Sequence, residues 1–286
     1  MKGPSATGSA TGPSATGPPE PAPAADGREA AYRALAGTGS VMTRLVSAYG
    51  NPDPFEWFDG GRTGQSLFAA MALHITGQRI SASAAFTLFD RITAAAAGIP
   101  DPDAILALGA GRLRALGLSW AKAQCLTELA SRQASGLIDI ENMNALADGA
   151  VIGALTAVPG IGLWSAQAFL LRQLRRPDVM PAGDTGIRRA IAREWNLTGP
   201  PTARQVRDRS AAWAPYRSYA AALLWKSLRP PGEPSDPKAR ALARTARTVR
   251  ALRVVDIASA PPQEMGHISH KLDGAVRDVE RLGRRG

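Results

Sequence analysis

Apolar residues recur along most of the chain at three- and four-residue intervals, and nowhere do they alternate with polar ones over the length of a strand. From about Arg28 to Tyr49 they fall at Tyr32, Leu35, Val41, Leu45 and Val46, interrupted by Gly37-Thr-Gly39, which predicts one helix or two broken there. Asn51 to Gly64 reads as a loop rich in Pro, Asp and Gly, with Phe55, Trp57 and Phe58 as its anchors in the core. Ser66 to His74 has apolar residues on nearly every face, the pattern of a buried helix. Ser81 is placed to cap a helix over 82–96, Asp101 a short one after it, and Ser119 one running through Arg132. Residues 148–158 predict a helix stopped by Pro159 and Gly160, and Gly162 to Leu174 predict a second. Asp184 or Thr185 opens a helix holding Ile187, Ile191 and Trp195; Thr202 caps the next, and Pro215 sits where a first-turn proline belongs. The expected fold class is all-α.

The two ends depart from this pattern. Residues 1–27 repeat Gly-Pro-Ser-Ala-Thr-Gly (3–8 and 12–17) and then turn rich in Pro and Ala. So little apolar surface does not offset the entropy of ordering, and a disordered tail is expected. At the other end, Lys238 to Arg253 holds six basic residues and no acidic one. Leu272, Val276, Val279 and Leu282 then make an apolar stripe at helical spacing. From Lys238 to Gly286 eleven basic residues face five acidic ones, so this stretch supplies over half of the net charge of +10. The expected plan is a tail over 1–27, a folded domain over 28–236 and a basic extension over 237–286. That extension reads either as a solvated, partly helical segment or as an auxiliary arm for DNA or another partner.

Composition narrows the function classes. With 286 residues, 45% of them apolar, the chain can bury the core of one large domain or two helical lobes. A net charge of +10 and a pI of about 10.6 suit an anionic polymer as partner, although charge alone also serves solubility. No apolar run approaches the roughly 20 residues of a membrane span, and the N-terminal residues lack the hydrophobic core of a signal peptide. The expected place is the cytoplasm, at the nucleoid in a bacterium. A lone cysteine, Cys125, excludes an internal disulfide framework, a four-cysteine iron–sulfur cluster and a thiolate zinc cage. His74, His267 and His270 have no metal-ligand companions and read as structural or exposed.

The chemistry gathers at Leu155-Thr-Ala-Val-Pro-Gly-Ile-Gly-Leu-Trp-Ser-Ala166. A Pro-Gly-Ile-Gly turn between two helices can aim backbone N–H groups at the start of the second, where the helix dipole adds positive potential. Gly160 and Gly162 permit positive φ and the close approach of another backbone, while Ile161 plugs the gap between the helices. A nucleic-acid phosphate suits such a cradle, because contacts of this kind position without reading sequence. An ordinary αα-hairpin would use the same turn residues. Twenty residues after Trp164, Met180-Pro-Ala-Gly-Asp-Thr-Gly-Ile-Arg-Arg189 sets one carboxylate, Asp184, ahead of a new helix.

Val158-Pro-Gly-Ile-Gly-Leu-Trp-Ser-Ala166 followed by Pro181-Ala-Gly-Asp184 resembles the helix-hairpin-helix (HhH-GPD) DNA glycosylases, in particular their 3-methyladenine DNA glycosylase II branch. Ile75-Thr-Gly-Gln-Arg-Ile-Ser81, Leu116-Gly-Leu-Ser-Trp-Ala-Lys122 and Trp213-Ala-Pro-Tyr-Arg-Ser-Tyr-Ala220, running on to Trp225, agree in the same order. The resemblance spans roughly residues 30–230 and stops short of the basic extension. It implies two helical lobes with the active-site cleft between them. The β-rich N-terminal domain that some members carry has no room here.

The resemblance also implies roles. A glycosylase breaks the C1′–N bond of a nucleotide flipped out of double-stranded DNA. The transition state is oxocarbenium-like, and a carboxylate beneath the sugar stabilises it and orients or deprotonates the attacking water. Asp184 matches that carboxylate, though aspartate is also a frequent helix cap. Bifunctional relatives have a Schiff-base lysine where this chain has Trp164, so water is the expected nucleophile and strand nicking is not expected. Trp164 matches a wall of the base pocket, and Trp225 an aromatic that stacks on the flipped base and favours cationic alkylated bases. A second pocket aromatic of some members falls at Ala168, which implies a wider or differently lined pocket. Gln78 and Arg79 match the loop that fills the gap left by the base, Arg79 replacing an amide or aliphatic wedge. Gly160, Gly162 and the Ser165 hydroxyl match the phosphate cradle. The carbonyls of Thr156, Val158 and Ile161 match a site for a monovalent cation, Na⁺ or K⁺; no other cofactor is implied. A monomer acting on damaged duplex DNA is the expected form. The competing reading is a non-catalytic helix-hairpin-helix DNA-binding module, which would need no carboxylate facing an aromatic pocket.

Overall fold

The computed structural model describes residues 25–56 and 59–229. Among them are eleven α-helices and no strand. In order these are α1 (Ala25–Ala36), α2 (Ser40–Tyr49), α3 (Leu67–Gly77), α4 (Ala82–Ala95), α5 (Pro102–Ala115), α6 (Trp120–Ala134), α7 (Asp148–Thr156), α8 (Leu163–Arg172), α9 (Thr185–Glu194), α10 (Ala203–Ser210) and α11 (Arg217–Ser227). The all-α expectation holds. Positions 57 and 58, His267, His270 and the extension over 237–286 lie outside the described residues, so the expectations attached to them are not met here by any structure.

Several boundaries differ from the sequence reading, each for a local reason. α1 begins at Ala25, inside the segment assigned to the tail. Gly37-Thr-Gly39 separates two helices, with Gly39 at φ 151° as the N-cap of α2. α5 is longer than expected because it runs on past a kink at Gly109 (φ 64°, ψ 165°), a conformation that glycine adopts readily. Pro215 does not open a helix: it precedes Tyr216, the N-cap of α11.

The helix starts follow side-chain chemistry closely. Ser66, Ser81, Asp101, Ser119, Asp184 and Thr202 each accept a hydrogen bond from the backbone N–H three residues on. A cap of this kind contributes about 1 kcal/mol. Glu141 adds a carboxylate at the start of α3, accepting from the Ser66 hydroxyl and from the N–H groups of Leu67 and Phe68.

In the packing, α3 lies against α4 and α6, α5 against α6, and α7 against α8; α11 packs on α9, α2 and α1. The buried side chains form one continuous cluster. From Phe68 to Ile75 every residue of α3 but His74 is buried, which explains its nearly unbroken apolar sequence. α9 instead buries a single stripe, Ile187, Ala190, Ile191 and Glu194, at helical spacing. The Glu194 carboxylate, buried at the end of that stripe, is held by Arg44 at 2.8 Å and Arg193 at 2.7 Å. Asp178 and Arg217 form a two-pronged ion pair that fastens the segment before Asp184 to the start of α11. Phe55 and Tyr32 meet the Tyr219 ring edge-on, and the Tyr32 hydroxyl donates to the Pro52 carbonyl at 2.7 Å. These contacts hold the 52–56 loop beside α11.

Candidate active site

A cavity of about 640 Å³ opens where α3, α4, the start of α8, the cap of α9 and α11 converge, with the 52–56 loop at its edge. His74, Gln78, Arg79, Trp164, Arg172, Asp184 and Trp225 all line it. Residues far apart in sequence thus meet around one carboxylate.

Asp184 is both cap and site. Its Oδ1 accepts from the Ile187 N–H at 2.8 Å and from Trp225 Nε1 at 2.8 Å, and its Oδ2 accepts from Trp164 Nε1 at 2.9 Å. A carboxylate offers about four acceptor positions, so three fixed donors leave roughly one for a ligand or a water. The close approach needs Gly186. A Cβ there would stand 2.9 Å from Asp184 Oδ1 and 3.2 Å from Trp225 Cδ1.

The two tryptophans therefore do more than wall a pocket. Trp164 is 39% exposed and stacks on His74, with ring centroids 5.3 Å apart and planes 30° from parallel. Trp225 is half-buried against the core, and the Arg172 guanidinium stands 5.9 Å from its ring centroid. His74 belongs to the site, where the sequence reading left it structural or exposed. Burial, and secondarily the charge of Arg172, push its pKa down to about 4, so the ring is neutral near pH 7. Its Nε2 is buried without a hydrogen-bond partner. The signal in sequence was slight: one polar residue inside a helix otherwise apolar all round. Ala168 is buried and does not line the cavity, so the second wall falls to His74 and Arg172.

The hairpin between α7 and α8 flanks this cavity. Gly160 has φ 96°, and a Cβ on it would meet the Cβ and Sγ of Cys125 at 2.9 Å. Gly162 differs from the expectation: its φ is −89° and a Cβ would have open space. It is the N-cap of α8 with no side chain to bond the first-turn N–H groups, which leaves those donors without a capping partner. Ser165 is buried, its hydroxyl turned to Gln78 Nε2 at 3.5 Å. The same amide donates to the Gly160 carbonyl at 3.3 Å, so Gln78 ties its loop to the hairpin. Arg79, next in that loop, is exposed and has φ 59°, a left-handed conformation uncommon for a residue with a side chain. The Thr156, Val158 and Ile161 carbonyls belong to the hairpin turn, and Val158 O accepts from the Ile161 N–H at 3.0 Å. Among the described residues no group of three or more His, Cys, Asp or Glu is placed to hold a metal ion, and no helix is long and apolar enough to cross a membrane.

Residues 73–215, half of the chain and nearly all of this site, match the HhH-GPD superfamily of base excision DNA repair proteins. The chain belongs to that superfamily. It is 32% identical over 198 residues to DNA-3-methyladenine glycosylase 1 of Schizosaccharomyces pombe, covering 68% of this chain and 85% of the relative. It is 31% identical over 170 residues to the putative DNA-3-methyladenine glycosylase YfjP of Bacillus subtilis, covering 57% of this chain and 59% of that protein's length. Among solved structures, S. pombe 3-methyladenine DNA glycosylase Mag1 in complex with abasic DNA superposes with a TM-score of 0.61 at 30% identity, over 69% of this chain and 96% of that one. Within the HhH-GPD frame, the turn 159–162 is the hairpin and Asp184 follows it at the rim of the cavity.

Proposed function

We propose that the protein is a monofunctional DNA glycosylase of base excision repair, hydrolysing the N-glycosidic bond of alkylated bases flipped out of duplex DNA. The observation that carries this reading is the Asp184 carboxylate, fixed by two indole N–H groups and a helix amide at the edge of a cavity large enough for a base. A module that only binds DNA has no use for a carboxylate so prepared.

The chemistry follows from the arrangement. As the C1′–N bond lengthens, positive charge gathers on the sugar, and a carboxylate held in place stabilises it without reorganising. The free acceptor position of Asp184 can orient a water toward C1′. Oxygen adds to C1′, the base departs with the bonding pair, and the water's proton passes to solvent or to Asp184. Trp164 has no amine, so it cannot attack in place of water.

The rest of the site positions DNA. The uncapped start of α8 at Gly162 serves as the phosphate seat, with Gly160 letting the hairpin turn closely against α6. The Thr156, Val158 and Ile161 carbonyls are the oxygens that would hold a monovalent cation there, Val158 with its second lone pair. Arg79, exposed on a left-handed residue beside Gln78, is placed to fill the gap a flipped base leaves. One copy of the chain supplies every group named, so a monomer suffices. Incubating the protein with methylated duplex DNA and chromatographing the bases released tests the reading; DNA bound with no base released would refute it.

A further inference from the structure

The wall of the cavity carries a buried cation beside the carboxylate. Arg172, at the last turn of α8, stands 5.9 Å from the Trp225 ring centroid and lines the cavity. Burial lowers its pKa from the ordinary arginine value, and attraction to the Asp184 charge opposes that only in part. The neighbouring wall adds no second charge, because His74 is neutral. Both indole N–H groups are committed to Asp184, so neither is left to donate to a base. Lys226, Arg229 and Arg79 also line the cavity, as do Asp53 and Glu56; Arg172 combines the aromatic wall with the pull of Asp184.

We propose that Arg172 is a specificity-determining residue: its guanidinium stabilises negative charge on a departing neutral base, and the site accelerates release of neutral damaged purines more than of cationic methylated ones. The inference rests on the glycosylase reading above. When the C1′–N bond of a neutral purine breaks, both electrons stay on the ring nitrogen and the base leaves as an anion, later protonated by solvent. A fixed cation beside the stacked ring stabilises that charge, the logic of preorganised donors at any developing anion. A base carrying an extra methyl cation takes the same pair and leaves neutral, so Arg172 gives it nothing. On entry, moreover, its charge is repelled by the guanidinium and competes with it for the Trp225 face. Two unit charges several ångströms apart in a partly desolvated site interact strongly enough to shift a rate roughly tenfold.

The test uses the full chain and four defined duplexes, carrying hypoxanthine or 1,N6-ethenoadenine as neutral bases and 7-methylguanine or 3-methyladenine as cationic ones. Single-turnover release is divided by the spontaneous rate for each. The wild-type acceleration should be greater for the neutral pair. Arg172→Met should cut that for the neutral bases by about tenfold or more and leave the cationic ones equal or faster, whereas Arg172→Lys should keep the wild-type order. Equal losses on all four bases, or an unchanged ratio in Arg172→Met, would overturn the proposal while leaving the glycosylase reading intact. Should Arg172→Met fail to fold, a greater wild-type acceleration for the cationic pair overturns it as well. Release of none of the four would sink the glycosylase reading itself.

Discussion

The indole nitrogens of Trp164 and Trp225 converge on one carboxylate, reaching the two oxygens of Asp184 at 2.9 and 2.8 Å. Trp164 comes from the hairpin helix and Trp225 from α11, so the carboxylate is aimed by two elements that do not depend on each other locally. Replacing either indole by Phe keeps an aromatic face but removes a charge-assisted bond. Each single variant, Trp164→Phe and Trp225→Phe, is expected to lose roughly tenfold in single-turnover base release with little change in DNA affinity. Unchanged release from both would mean that the indoles only pack.

Asp184→Asn retains a good cap for α9 and a similar shape, so the variant should fold. It loses the negative charge that stabilises the sugar cation. Base release is expected to fall by at least about a hundredfold while binding to undamaged duplex is kept or strengthened. Excision at the wild-type rate would reduce Asp184 to its capping role.

With Trp164 in place of an amine, borohydride should trap no covalent protein–DNA adduct, and abasic products should stay uncleaved until treated with alkali. The trap is a fair one, because Lys226 lines the same cavity and carries an amine. An adduct that disappears in Lys226→Ala would replace the hydrolytic mechanism with a lyase.

Much of this architecture was legible in the sequence, and the pattern of success is physical. Cap residues and apolar spacing are local, so Ser81, Asp101, Ser119 and Thr202 mark their helices correctly. Asp184 and the two tryptophans were found through motifs, but not their mutual hydrogen bonds, which depend on how α8, α9 and α11 cross. His74 and Arg172 became pocket residues only when α3 was laid beside α8. Gly162 departs from its expectation because a glycine in sequence does not say whether it is there for its φ or for the space outside it.

Three glycines now separate folding from function. Gly160→Ala forces a side chain onto φ 96° and against Cys125, and is expected to cost about 1–3 kcal/mol of stability. Gly162→Ala meets neither obstacle, so the melting temperature should hold while DNA affinity falls through loss of close phosphate approach. Gly186→Ala improves helix propensity by up to about 1 kcal/mol, yet pushes on Asp184 Oδ1 and Trp225. A near-normal melting temperature with excision reduced tenfold or more is expected, and intact excision would show that the first turn of α9 yields without disturbing the carboxylate.

His74 gives the protein a specific sensitivity to acid. Its pKa is pushed down to about 4 in the folded chain, from an ordinary value near 6.5 when unfolded. Between those values the unfolded chain binds the extra proton and the folded one does not, so unfolding becomes easier as the pH falls. The contribution is complete above about pH 6.5, declines through the window and is gone near pH 4, for a total on the order of 3 kcal/mol. Carboxylates titrate over the lower part of the same range, so the measurement is a difference. Chemical denaturation from pH 7 to 4.5 should show the wild type losing stability relative to His74→Phe as the pH falls, because phenylalanine keeps the stack on Trp164 without taking a proton. Parallel stability curves would show that His74 titrates like an exposed histidine and that its ring is not held neutral by the site.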